Sequence, residues 1–385
     1  MNARMRNRRA LALPMVLGAI TLIGTLIAGV MYLATQDYRV GANSLNETRA
    51  EQAAELGLNR LTTDWDQTKN TSMVAGDTLT KSYTDVSGAT VNVFVTRLQG
   101  PYFWAISEAQ TRGNSLQYGA RRRFGQLFRL NTPSVNFLGA VTASGNVKVS
   151  GNVTLNGNDA NPTGWACTNA LTNMPGAVIT PTATTTIKGS VIVTGNPPST
   201  TSAAAGDTNT YFKYGSTPDS PTYASLAAIA NITLPGGTYN GMTPNVVGGV
   251  LGVGGVCTPS DMNWGDAVRH IPATACENYF PIIHFTGDAT LTNGSGQGIL
   301  LVDGDLTEAG NFTFIGVVIV RGTVRASGNS NAVTGVTMAA AVDLGDAVTL
   351  AGSAKVQYSS CAVQQALASS SNLKSVRGRA WVNLY

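Results

Sequence analysis

From Ala10 to Gln36 the chain carries no charged residue, and the segment Leu11–Ala34, LALPMVLGAITLIGTLIAGVMYLA, is almost wholly apolar. A helix of roughly 20 such residues crosses the hydrocarbon core of a bilayer. Arg4, Arg6, Arg8 and Arg9 precede the run and Asp37 succeeds it. Arginine is retained on the cytoplasmic side, so the bulk of the chain is expected outside the cytoplasm. Three kinds of N-terminus compete. A secretory signal has an apolar core of about 7–15 residues that ends at a small-residue cut. This run is longer, and no A-x-A site lies close behind it. A plain anchor would stay in the membrane whole. A leader cut between the arginines and the apolar run would leave the helix on the mature chain, and the small residue Ala10 stands at that junction.

The residues beyond the apolar run favour the last of these. Residues 37–66, DYRVGANSLNETRAEQAAELGLNRLTTDWD, continue a helical pattern: Ala50, Ala53, Ala54, Leu58 and Leu61 share one weakly apolar face, with Glu47, Arg49, Glu51, Glu55 and Arg60 mostly on others. A plain anchor has no need for a single helix that runs from lipid into a soluble domain. The segment RNRRALALPMVLGAITLIGTLIAG, together with RAEQAAELGLNRL, resembles the N-terminal domain of PilX-like type IV minor pilins, over residues 4–66 and more weakly to residue 131. Ala53, Ala54, Glu55, Leu56, Gly57 and Leu58 carry the family's A-A-E-x-G-L stretch. The resemblance implies a prepilin-type signal cut by a prepilin peptidase between Ala10 and Leu11. It also implies an inner-membrane stage, and assembly with other pilins or minor pilins through the N-terminal helix. Two positions depart from the pattern. Ala10 stands where most such leaders have glycine. Met15, fifth from Leu11, stands where major pilins carry the glutamate that pairs with a neighbour's terminal amine. Some minor pilins and secretion-pseudopilus tip subunits lack it too, which fits a minor, tip-located subunit.

Residues 77–131 alternate as strands. Val91, Val93 and Val95 fall on one face of Ala89–Leu98, and Gly100–Pro101 makes a turn. A small antiparallel meander packed on the helix is expected. Arg121, Arg122 and Arg123 read as a solvated edge strand protected by charge, with acidic lipid or a partner subunit as the functional alternative. From residue 135 glycines recur every sixth position: Gly139, Gly145, Gly151 and Gly157, and later Gly298, Gly304, Gly310, Gly316, Gly322 and Gly328. Between them the third and fifth positions of each unit are mostly apolar, as in GVVIVR. Short strands with glycine turns that bury a face only against neighbouring copies are the pattern of a solenoid. Glu308 occupies one of these inward slots and is expected at a bulge or coil edge facing solvent. Residues 160–290 are irregular and read as inserted loops, residues 361–370 as a short helix, and RAWVNLY as a final strand. The fold expected is therefore α+β: leader 1–10, helix 11–66, meander 77–131, a glycine-rich β-solenoid head over 135–360, and a C-terminal helix and strand over 361–385.

The chemistry is sparse. Charged residues are 12% of the chain, and of 25 Lys and Arg the leader holds four, so the remainder balances the 21 acidic residues. That excludes a strongly basic nucleic-acid binder. Two histidines, His270 and His284, exclude a multi-histidine catalyst, and neither has a cluster around it in sequence. Asp303, Asp305 and Glu308 could chelate calcium, but Asp-Gly-Asp here reads as a turn and no GGxGxD array is present. No metal, no cofactor and no enzymatic activity are expected. The four cysteines, Cys167, Cys257, Cys276 and Cys361, lie beyond the apolar run and form no C-x-x-C. An even count in an oxidising compartment points to two disulfides. Of three connectivities, Cys257–Cys276 closes a Pro/Gly-rich polar loop and is favoured, which leaves Cys167–Cys361. The reading is a minor pilin-like structural subunit in the inner membrane before assembly and in a surface pilus after it, with a head able to meet a surface ligand. The alternatives are a membrane-anchored adhesin or scaffold outside any filament and, behind it, a carbohydrate-active β-helix enzyme.

Overall fold

The computed structural model describes residues 9–86, 88–112, 119–165, 167, 171–206, 212–213, 222–247, 256–269, 274–327, 330–340, 346–350, 353–376 and 381–384. Two compact units emerge: the first holds residues up to 64, 75–129 and 375–385, the second 65–74 and 130–374.

In the first unit one helix, α1, runs from Arg9 to Thr63. At 1.5 Å per residue it is about 80 Å long. Large aliphatic side chains from Leu13 to Leu33 are exposed all round it. Beyond that stretch it changes character. Asn46, Ala50, Ala53, Ala54, Leu58 and Leu61 are buried against an antiparallel meander of β1 (Thr78–Val86), β2 (Ala89–Arg97), β3 (Tyr102–Thr111) and β4 (Arg121–Asn131). Val91, Val93 and Val95 point into that contact. The closest approach is at Gly57, where a Cβ would lie 2.6 Å from both Ser107 Oγ and Val91 Cγ1. The Ala-Ala-Glu-Leu-Gly-Leu stretch is thus a small-residue face that lets the helix backbone sit down on the sheet.

The arginine run is an edge only in part. The C-terminal strand Trp381–Leu384 pairs antiparallel with Arg123–Gln126 of β4, on the side away from β3, so Arg123 lies between two strands while Arg121 and Arg122 pair with β3 alone. Arg121 and Arg123 both pair with Glu108 on β3, and Arg122 reaches Glu47 on α1 at 3.2 Å. The hydrogen bond from Arg121, with Arg123 adding to it, holds the Glu108 carboxyl below its ordinary range against the opposing effect of burial. Cross-strand pairing, invisible in a local reading, gives Arg121 and Arg123 a shared carboxylate on the sheet surface.

The second unit is built on a large, mainly parallel sheet. Its strands form three ladders. In one, Ile232, Ile283, Leu300, Val318, Thr337, Val141, Ala177 and Ser199 stand in register. In the second, Tyr239, Leu291, Glu308, Ala326, Leu350, Val149 and Ile187 do. In the third, Phe314, Val333, Val356, Leu155 and Val193 do. Gly298 stands opposite Gly316, three glycine-spaced units on, and Gly316 stands opposite Gly335, 19 residues on and one residue out of the six-residue spacing. Their φ angles are 113°, 141° and 138°, and a Cβ on Gly335 would lie 1.8 Å from the Gly316 carbonyl oxygen. Only glycine allows that stacking. Spatial order departs from chain order: Thr337–Ala339 pairs with Val141–Ala143, so the earlier glycine block stacks beyond the end of the later one.

The inward positions form one continuous apolar core, including Leu155, Leu291, Leu300, Phe312, Phe314 and Val318. Glu308 is inside it. It is 3% exposed, flanked in its ladder by Leu291 and Ala326. The solvent-facing bulge expected there does not exist, because the register irregularity falls further on, between Thr292 and Gly294. Unbroken alternation from Leu306 carries Glu308 inward. The helix Ser360–Ser369 matches the expected position. Ser359 Oγ accepts from Ala362 N, and Asp159 Oδ1 accepts from Ser360 N. At its other end the Asn70 amide donates to the carbonyls of Ala368, Ser369 and Ser371 at 3.1, 3.0 and 2.8 Å.

Candidate functional site

The N-terminal stretch of α1 is long and apolar enough to cross a membrane, and none of that stretch is buried by the protein. Ala10 and Leu11 lie in its first turn, and Met15 is 72% exposed. The threonine hydroxyls of the stretch are satisfied within the helix. Thr21 Oγ1 donates to Gly18 O and Thr25 Oγ1 to Leu22 O, both at 2.9 Å, and Thr35 Oγ1 to Met31 O at 2.7 Å. A spanning segment needs this, since hydrocarbon offers no hydrogen-bond partner.

Cys257 is bonded to Cys276 and Cys167 to Cys361. The loop closed by the first bond is organised around buried amides. Asn263 Nδ2 donates to Thr258 O at 2.8 Å, and Asn263 Oδ1 accepts from Gly265 N at 3.1 Å. Gln297, fully buried on the strand Ala289–Val302, donates through Nε2 to the carbonyls of Cys276, Glu277 and Tyr279. Arg269 is clasped between rings, 4.3 Å from the Trp165 centroid and 5.8 Å from that of Phe280. It donates to the carbonyls of Asp266 and Glu277, and burial lowers its pKa. Trp165 Nε1 in turn donates to Ala267 O. One disulfide thus ties Cys167 to the helix Ser360–Ser369, the other closes the 257–276 loop on itself, and Gln297 holds that loop's carbonyls to the sheet.

A second cluster escapes a sequence reading. His284 Nε2 lies 3.0 Å from Asp303 Oδ2, and Asp303 Oδ1 lies 4.0 Å from Arg321 Nη1. Arg321 stands 5.5 Å above the Tyr223 ring, which meets His284 edge-on at 6.4 Å. Burial first, and then Asp303, raise the Tyr223 pKa, although its hydroxyl makes no hydrogen bond of acceptable geometry. His284, Asp303 and Arg321 sit near equivalent strand ends in successive rungs, and Tyr223 opens the short helix Tyr223–Ala227, so the parallel register brings together charges that the chain keeps apart. The arrangement orients an imidazole between a carboxylate and a tyrosine ring. His270 lies outside the described residues. Asp305 takes a turn role, accepting from Thr323 N at 2.8 Å and pairing with Arg325 at 2.6 Å. Among the described residues no group of three or more His, Cys, Asp or Glu could hold a metal ion.

No family model matches the sequence, and no curated protein does. Among solved structures the chain is similar to the competence-associated pilin ComZ from Thermus thermophilus, at 11% identity and a TM-score of 0.24, over 88% of this chain and 97% of that one. A superposition that loose assigns neither family nor activity.

Proposed function

We propose that the chain is a minor pilin-like structural subunit of a type IV pilus or a related filament. The observation that carries this is α1 itself: one unbroken helix offers a bare apolar stretch and then buries its small-residue face on an antiparallel meander. In this reading residues 1–10 are a leader removed by a prepilin peptidase, residues 11–66 anchor the subunit in the inner membrane and later pack among other pilins, and residues 77–131 complete the pilin-like part. Residues 135–360 form a β-solenoid head outside the cytoplasm. The register of Gly298 with Gly316, three glycine-spaced units on, supports the solenoid. Met15 cannot supply the carboxylate that satisfies a neighbour's buried amine, and an unpaired ammonium in an apolar filament costs several kcal/mol. The subunit is accordingly scarce and sits at an end or in the initiating complex.

Mass spectrometry of the mature protein tests the processing. An N-terminus at Leu11 agrees with it. An intact Met1, or a cut after Ala34, removes the pilin reading. The uncharged Met15 equally suits a membrane-anchored adhesin or scaffold that enters no filament. Immunogold labelling of a tag in residues 160–290 separates the two: sparse or single-ended label on sheared filaments supports the minor subunit, and label confined to membranes supports the scaffold. Uniform dense decoration refutes both.

A further inference from the structure

The parallel stack of the second unit is closed at one end and open at the other. Its last layer holds the strands Thr185–Lys188, Ile192–Thr194 and Ser199–Thr201, one in each ladder. Each pairs on one side, with Asn146–Ser150, Thr154–Asn156 and Ala177–Ile179 in turn. Among the described residues no strand takes the other side. Ile192 N donates to Val153 O and Gly157 N to Thr194 O, while Val147 N donates to Thr184 O and Gly151 N to Lys188 O. Along a parallel strand alternate residues turn both N–H and C=O to the same neighbour, so those of Ile187 and Val193 aim out of the stack. The core opens there as well. Val149 and Leu155 are fully buried, whereas Ile187, in register with Val149, is 52% exposed and Val193, in register with Leu155, is half-buried. At the opposite end Ile232, Leu234 and Met242 are buried in one cluster with Leu226 and Trp264.

Three properties define what fits the open end. Unpaired strand edges are templates for further strands, and this end carries one in each ladder. Residues 181–202 hold a single charge, Lys188, so docking strips little charge of its water. The third property is size. Three sides of about six residues, at about 3.3 Å per residue and roughly 10 Å deep, offer about 600 Å². Two such ends together bury about 1,200 Å², the lower bound of a specific, stable interface. Head-to-tail stacking would set an open core against a closed one, so the pairing that covers both open ends is isologous. We propose that two copies of this chain dock end to end through residues 185–201. Two identical ends that face each other turn in opposite senses, so the strands across the joint run antiparallel. The joint covers Ile187 and Val193 and gives their outward N–H and C=O groups partners. The proposal does not rest on the filament reading, because the dispersed chain pairs outside any filament.

The test is sedimentation of the full chain, dispersed in neutral detergent, across a series of concentrations. The expected result is a monomer–dimer equilibrium with no larger species. I187D/V193D sets like charges across the joint and should weaken the dimer about tenfold or more. Association through the apolar stretch of α1 would leave that variant unchanged. Should I187D/V193D lose the wild-type melting transition, I187D alone takes its place. Amide exchange gives a second readout: the N–H groups of Ile187 and Val193 should exchange more slowly in the dimer than in the monomer, and those of Gly237–Met242, at the closed end, equally in both. A monomer at every concentration, unchanged pairing of the folded variants, growth beyond two copies, or equal exchange of Ile187 and Val193 in monomer and dimer would each overturn the proposal.

Discussion

Replacing Glu308 should stabilise the parallel sheet, and should do so chiefly at neutral and alkaline pH. The side chain is 3% exposed between Leu291 and Ala326, and its Oε1 has no hydrogen-bond partner. Burial alone pushes the carboxyl up to about 7 from an ordinary 4.5. As pH rises through 4.5 the unfolded chain releases this proton while the folded chain keeps it until about 7. The folded state is therefore favoured in full below the unfolded pKa and loses ground as pH climbs to the folded one. A difference of that size corresponds to about 3 kcal/mol at 1.36 kcal/mol per pH unit. Glu308→Gln keeps the shape without the titration, and Glu308→Leu matches its neighbour Leu291. Urea unfolding of each full-length protein at pH 5 and pH 8.5, monitored by the fluorescence of the buried Trp264, gives the comparison. The gap between variant and wild type should widen by about 2.5 kcal/mol from the lower to the higher pH, with Glu308→Leu the more stable variant at both. A gap that stays constant with pH, or a Glu308→Gln protein less stable than wild type at pH 8.5, would falsify the burial argument.

Two further substitutions probe single contacts. Gly57→Val places methyl groups where Ser107 Oγ and Val91 Cγ1 already lie within 2.6 Å of a Cβ, and should cost about 1–3 kcal/mol, read as faster amide exchange in β2 and β3 and unchanged exchange in the strand Leu306–Val320. Asn70→Ala removes the donor shared by three carbonyls at the end of the helix Ser360–Ser369. It should cost about 1–3 kcal/mol, and a melting temperature equal to wild type would show that water replaces the amide without loss.

How much of the fold was legible in the sequence depends on the range of the interaction. The helix α1 was, because its apolar run and the Ala50–Leu61 face are periodic within a few turns. So were the inward positions beside Gly298 and Gly316, because glycine spacing and period-two alternation act locally. The rung order was not. Nothing in Val141–Ala143 announces that its partner is Thr337–Ala339, since any short β-branched strand offers the same edge. The same limit hid the Asp303 and Arg321 neighbours of His284 and the Glu108 partner of Arg121 and Arg123. Glu308 was misplaced for a different reason. A carboxylate in an inward slot is read as an exception to the alternation, whereas the backbone register, held by the rungs on either side, decides the side chain's direction.

Those long-range pairings concentrate at one closure, and the disulfides can weigh it. Thr337 meeting Val141, Asn156 Nδ2 donating to Gln357 Oε1 at 2.9 Å, and Cys167 bonding Cys361 all join the early glycine block to the last part of the second unit. The last of these spans 194 residues, against 19 for Cys257–Cys276. In the chain-entropy account a bond restrains the unfolded chain more as its loop lengthens, by about 5 kcal/mol for the longer loop and about 3 kcal/mol for the shorter. The loop within 257–276 has a further hold on the sheet, because Gln297 carries its carbonyls whether or not the sulfurs are joined. C167S/C361S should therefore lower the urea midpoint more than C257S/C276S does. Thiol labelling of denatured, unreduced wild-type protein should find no free cysteine, so that each pair is known to be intact at the start. If the shorter loop proves the more costly to open, local packing around Asn263, and not chain closure, governs the stability of the unit.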